Sequence, residues 1–146
     1  MRIQSGKFEG QLTEVVFLKN PDYVQWMIHK APDNRLVPAF KRLISQLDSR
    51  QICKEKCHGC GSPATRASAY SNTPDLMFWC SKCNPYSSGA RSGTLTTVDS
   101  FHRAIEHVDM TGGGNRADKR EIIRNLAEAK GLPKRITEKA ALEFFS

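Results

Sequence analysis

The chain is poor in everything that would place it in a membrane or in a repeat architecture. Its longest apolar stretches, Val15-Val16-Phe17-Leu18 and Leu76-Met77-Phe78-Trp79-Cys80, are far too short to span a bilayer, and no internal repeat is visible. Tyrosine and tryptophan are few, at three and two, beside seven phenylalanines in 146 residues. Acids are also short, at 15 against 22 lysines and arginines, which leaves a formal charge of +7. A 39% hydrophobic content still excludes a disordered chain, so a folded protein is expected. Met1-Arg2-Ile3-Gln4 opens no apolar leader and Glu143-Phe144-Phe145-Ser146 carries no lipidation motif, so the expected location is cytoplasmic.

The positive excess is uneven. Residues 1–49 carry seven basic and five acidic side chains, residues 50–98 six and two, and residues 99–146 nine and eight. The middle segment holds Arg50, Lys54, Lys56, Arg66, Lys82 and Arg91, a composition that attracts phosphate. Four thiolates on a dication would cut its excess to about +2, so solubility alone explains the charge equally well.

What the chain does have is cysteine in a telling pattern. Cys57-His58-Gly59-Cys60 and Cys80-Ser81-Lys82-Cys83 are two Cys-x2-Cys pairs nineteen residues apart. That is the spacing of a closed tetrahedral four-cysteine metal site. Each knuckle turns two sulfurs the same way while its amides hydrogen-bond them, and Gly61 allows the tight turn. Structural Zn2+ is the expected occupant. Iron of the rubredoxin kind is the less favoured one, and disulfides or a redox pair fit a reducing compartment poorly. Cys53 lies at helical rather than knuckle spacing from Cys57, and His58 sits inside a knuckle, so both stay outside the metal set.

The local patterns give an α+β fold. Gly6 to Leu18 reads as a hairpin; Asn20-Pro21 starts a short helix with Tyr23, Trp26 and Met27 on one face; Pro38 opens a second with Phe40, Leu43, Ile44 and Leu47 in helical period. Two short strands, Ala67–Tyr70 and Met77–Cys80, fit between the cysteine pairs, and Tyr86 to Gly93 reads as a loop. Val98, Phe101, Ile105 and Val108 mark a helix, Gly112-Gly113-Gly114 a flexible hinge, Arg116 to Lys130 another helix, and Thr137 caps the last. The expected division is an N-terminal hairpin-helix-helix unit (1–49), a central zinc ribbon (50–98) and a helical third (99–146) with its hinge at 112–114.

The residues Gly6-Lys7-Phe8-Glu9-Gly10, then Leu12, Glu14-Val15, Pro21, Tyr23 and Trp26, resemble the small C-terminal domain of exodeoxyribonuclease X-type enzymes. The same pattern occurs in a family labelled as a quorum-sensing-regulated virulence factor. The resemblance covers residues 5–48 and implies an accessory module of DNA-processing proteins, without the nuclease's own acidic site. Ser5 replaces the usual aromatic, and Val16 to Asn20 is an insertion relative to the pattern.

The favoured function is therefore non-catalytic nucleic-acid binding, DNA in the first instance, with phosphate contacts from Lys7, Lys56, Arg66, Lys82, Arg116, Arg120 and Arg124. Tyr70, Phe78 or Trp79 would stack on bases if exposed. A protein-interaction adaptor stabilised by zinc is the alternative from another class. The remote one is a metal nuclease of the His-Asn-His kind built from Asp99, His102, Glu106, His107 and Asn115, although two histidines five apart diverge on a helix. No nucleophile, base and orienting group can be named together, so no catalytic residue is expected.

Overall fold

Proline and capping residues place most of the helices. In the computed structural model, which describes residues 1–71, 73–83, 95–111 and 113–146, Pro21 begins α2 (Pro21–Lys30) and Pro38 sits in the first turn of α3 (Val37–Ser49). Asn115 and Thr137 cap α5 (Arg116–Ala129) and α6 (Glu138–Phe144), their side chains accepting from the amides of Asp118 and Ala140. The remaining helices are α1 (Thr13–Lys19) and α4 (Phe101–Thr111). With them goes one antiparallel sheet of order β2-β1-β3, from β1 (Arg66–Tyr70), β2 (Met77–Trp79) and β3 (Leu95–Thr97). The fold is mixed α+β.

Two local expectations are corrected. The stretch from Thr13 onward, read as the later part of an N-terminal hairpin, is helix α1; the residues before it fold back through the Arg2–Leu12 bridge and amide bonds from Ile3 to the Gln11 carbonyl at 2.9 Å, from Gly10 to the Ile3 carbonyl at 2.8 Å and from Thr13 to the Met1 carbonyl at 2.8 Å. A β-branched run suggests a strand, yet Val16, Phe17 and Leu18 are all fully buried. A short helix apolar on every side belongs at the centre of a helical body. The second correction is β3, which the sequence reading missed by assigning Val98 to a helix. The Val98 amide instead bonds to the Ala67 carbonyl at 3.1 Å, continuing the strand pairing.

Helix α1 packs against α2, α3, α5 and α6. Phe17 stacks on Phe101 at 5.1 Å between ring centres and meets Phe145 edge-on at 5.5 Å, so residues from both ends of the chain share one core. The same apolar cluster takes in Ala67, Ala69 and Phe78 from the sheet. Gly113 and Gly114 turn α4 into α5 at positive φ, and the Gly114 amide bonds to the Val108 carbonyl at 3.1 Å; Gly112 and the loop read at 86–93 lie outside the described residues. No described helix is long and apolar enough to cross a membrane.

The sheet is held to the helices at both ends. The amides of Cys53 and Lys54 both bond to the carbonyl of Ala129 at the end of α5, at 2.9 and 3.1 Å. Between β1 and β2, His107 Nε2 meets the Thr73 carbonyl at 3.0 Å and Asn125 Nδ2 donates to the Pro74 carbonyl at 3.1 Å. One sheet face, Ala67, Ala69 and Phe78, is thereby turned into the helical core, and the other is left for the cysteines.

Candidate metal centre

Alternation along the strands determines which side chains meet the cysteines. Arg66 pairs with Trp79 across the sheet, so these two and Ser68 share the face opposite Phe78. Trp79 is buried against Cys57 and Cys80, with Met77 and Cys83 packed beside them, and its indole N–H donates to the buried Ser68 hydroxyl at 2.8 Å. An indole is thus satisfied internally rather than offered to a base.

The sulfurs of Cys57, Cys60, Cys80 and Cys83 all lie within 4.8 Å of one another, and Cys60 and Cys80 approach to 3.6 Å. Four sulfurs at about 2.3 Å from one tetrahedral ion would stand about 3.8 Å apart, so this donor set fits a single metal ion. It is the one grouping of three or more His, Cys, Asp or Glu donors among the described residues. All five cysteines are free, and Cys53 stays outside the cluster beside Gly131.

The first knuckle is sewn to the sheet. Cys57 N–H donates to the Ser62 carbonyl at 2.7 Å, His58 N–H to the Phe78 carbonyl at 2.9 Å, and Gly59 N–H to the Cys57 sulfur at 3.3 Å. Gly61 takes a φ of +77°, the left-handed turn its position required. Gly59 is a requirement the sequence reading missed: a Cβ there would stand 3.0 Å from the Cys83 sulfur.

Arg66 locks the second knuckle. Its Nε donates to the Cys80 carbonyl at 3.1 Å and its terminal nitrogen to the Cys83 carbonyl. It is therefore turned to the metal side and half-buried rather than free for phosphate. Those carbonyls belong to the two ligand residues themselves, so Arg66 fixes where both sulfurs point.

Ionisation within the cluster is uneven. Burial pushes the Cys57 thiol up, but the amides of Cys80, Gly59 and Cys60 and the Cys83 thiol outweigh it and bring it down to about 6. Cys60 is lowered by the Ser62 hydroxyl and amide. Cys83, whose proton is shared with the sulfurs of Cys57, Cys80 and Cys60, is pushed up to about 12. In this arrangement Cys57 favours the thiolate and Cys83 keeps its proton near neutrality, so a metal ion must displace at least that proton, and more from a ribbon that has opened and lost these contacts. The affinity for Zn2+ is accordingly expected to rise at least tenfold per pH unit between about pH 6 and 8. Competition against a chelator of known pH dependence measures this, and a flat profile would contradict the proton count.

The other sequence-selected cations divide clearly. Lys56 and Lys82, beside and within the knuckles, are exposed and have no carboxylate partner among the described residues. Lys7 is exposed with its ammonium 5.4 Å from the Phe8 ring centre. Arg116 pairs with Asp22 at 3.0 Å; Arg120 is exposed; Arg124 pairs with Glu128 at 3.2 Å and donates to the Lys134 carbonyl at 2.7 Å. The Arg116, Arg120, Arg124 stripe is therefore not three equivalent free cations. Phe78 and Trp79 are buried at 7% and 3% exposure, leaving Tyr70 as the exposed ring of the three named for stacking. His102 is exposed, His107 is buried against Thr73, and Asn115 is occupied as a helix cap.

In the N-terminal region, Phe8 packs edge-on to Tyr23 at 4.7 Å while Trp26 stays half-exposed. No protein-family model, curated protein or solved structure matches the chain, and the exodeoxyribonuclease X-like resemblance of residues 5–48 gains no support from them.

Proposed function

We propose that this chain is a non-catalytic nucleic-acid-binding protein whose sheet is held by structural Zn2+ and whose knuckle lysines contact phosphate. The observation that carries the reading is the position of Lys56 and Lys82. Both project from the metal-bearing turns, exposed and unpaired among the described residues, while Arg66 anchors the turn beneath. A metal-pinned turn presents an ammonium at little entropic cost, which suits backbone contact. A site closed by four sulfurs leaves no coordination position for water, which favours a structural over a hydrolytic role. Zn2+ is the natural occupant in a reducing compartment; elemental analysis decides it, and a red, charge-transfer-absorbing protein would mean iron.

The test is fluorescence anisotropy of labelled single- and double-stranded DNA and RNA at several salt concentrations. Affinity should fall steeply with salt, and Lys56→Ala with Lys82→Ala should weaken it by up to about tenfold with the metal still bound. Indifference to every nucleic acid at low salt would overturn the reading in favour of a protein-interaction adaptor.

A further inference from the structure

Away from the metal centre, the end of α1, the face of α5 and the segment joining α5 to α6 enclose a cleft of about 570 Å³. Its lining includes Lys19, Arg120, Arg124, Lys134 and Arg135, with Glu121 as the single carboxylate. Arg124 is held by Glu128 and the Lys134 carbonyl, and that bond fixes the α5–α6 segment against the helix. The other four cations are exposed and have no ion-pair partner among the described residues.

Five cations around one concavity repel each other, and the apolar walls given by Leu18 and Ile136 keep their field from being fully screened. A patch of this kind concentrates anions. No aromatic ring lines it, so nothing there can stack on a base. Its donors are guanidinium and ammonium groups, the chemistry that meets phosphate oxygens in pairs or as point charges.

We propose that this cleft is a second phosphate-binding surface, seating the sugar-phosphate backbone of a nucleic acid without reading its bases. The proposal rests on the nucleic-acid reading above and adds a contact region built from Lys19, Arg120, Lys134 and Arg135. Of these, the sequence reading had singled out only Arg120. The other three come from α1 and the α5–α6 segment, and only the fold brings them to it.

The experiment uses the full metal-loaded chain, with Arg120→Ala combined with Arg135→Ala, and Lys41→Ala as an exposed cation of α3 outside both surfaces. Binding of a labelled random-sequence duplex is followed between about 50 and 200 mM salt. The double variant should bind about tenfold more weakly, with a log-log salt slope shallower by about 2 and the same loss on unrelated sequences. Lys41→Ala should match the wild type, and circular dichroism should show an unchanged fold. A double variant with wild-type affinity and slope, while the Lys56 and Lys82 variant is impaired, overturns the cleft and leaves the function standing. A wild type that binds no nucleic acid overturns both. Tripolyphosphate that binds the cleft more tightly than duplex, with the loss in the double variant confined to it, overturns the assignment to a nucleic-acid backbone.

Discussion

Chelating the metal is expected to melt the ribbon while most of the helix remains. A structural tetrathiolate site contributes about 10–16 kcal/mol of binding energy that is recovered only in the folded ribbon. Among the described residues, Trp79 is the large side chain buried with the cysteines on the metal face, and the opposite face gives the helical core Ala67, Ala69 and Phe78, too little to hold three short strands without the ion. The helical body has its own interior in Phe17, Phe40, Phe101, Leu43, Leu47, Ile122 and Leu126, all at most 1% exposed. Each such side chain contributes about 1.5–3 kcal/mol by leaving water. Far-ultraviolet circular dichroism should therefore keep most of its helical signal after chelation. Trp79, now 3% exposed, should shift its emission to the red, and Trp26→Phe removes the background of the tryptophan that is already 54% exposed. Loss of the helical signal in step with the metal would show a single cooperative unit instead.

Arg66→Ala is expected to weaken metal binding 10- to 100-fold, the usual effect of removing a group that orients ligands from behind. Two carbonyls that now accept from the guanidinium, those of Cys80 and Cys83, would turn to water or to each other's amides, and both sulfurs would lose their alignment. Arg66→Lys should recover only part of the affinity, since one ammonium lacks the rigid fork that reaches both acceptors. A competing chromophoric chelator reads the change directly. Unaltered metal affinity together with weakened nucleic-acid binding would return Arg66 to the role of a phosphate contact.

The four-cysteine cluster was legible because its information is local: two Cys-x2-Cys turns and the gap between them need no knowledge of the rest of the chain. Helices α3 and α5 were legible for a similar reason, from apolar period and caps such as Asn115. Helix α1 was not, because Val15 to Leu18 is apolar throughout, and its surroundings, not its period, decide between strand and helix. The cations were hardest. Arg66, Arg116 and Arg124 are set apart from the unpaired Lys56 and Arg120 by their partners: two knuckle carbonyls, Asp22, and Glu128 with the Lys134 carbonyl. Two of those partnerships are made between elements distant in sequence or by strand pairing, and residue type alone does not announce them. Trp79 misled for the same reason, since a buried hydroxyl at Ser68 answers its N–H.

The paired hydrogen bonds from the Cys53 and Lys54 amides to the Ala129 carbonyl, and the bond from the amide of Phe101 at the start of α4 to the Asp48 carboxylate near the end of α3 at 2.9 Å, mean that the cysteine-bearing stretch leaves and re-enters the helical body at two fixed points. In polymer terms the metal-free ribbon is a closed loop, not a dangling chain. Its ends are already together, so re-forming the site requires only smaller loops within a larger one, and loop entropy varies only with the logarithm of length. The four sulfurs remain confined to a small volume when the ion leaves, at an effective concentration that a free peptide of the same sequence lacks. Reloading should thus behave as a local collapse around the ion, on a scaffold that never has to find its ends again.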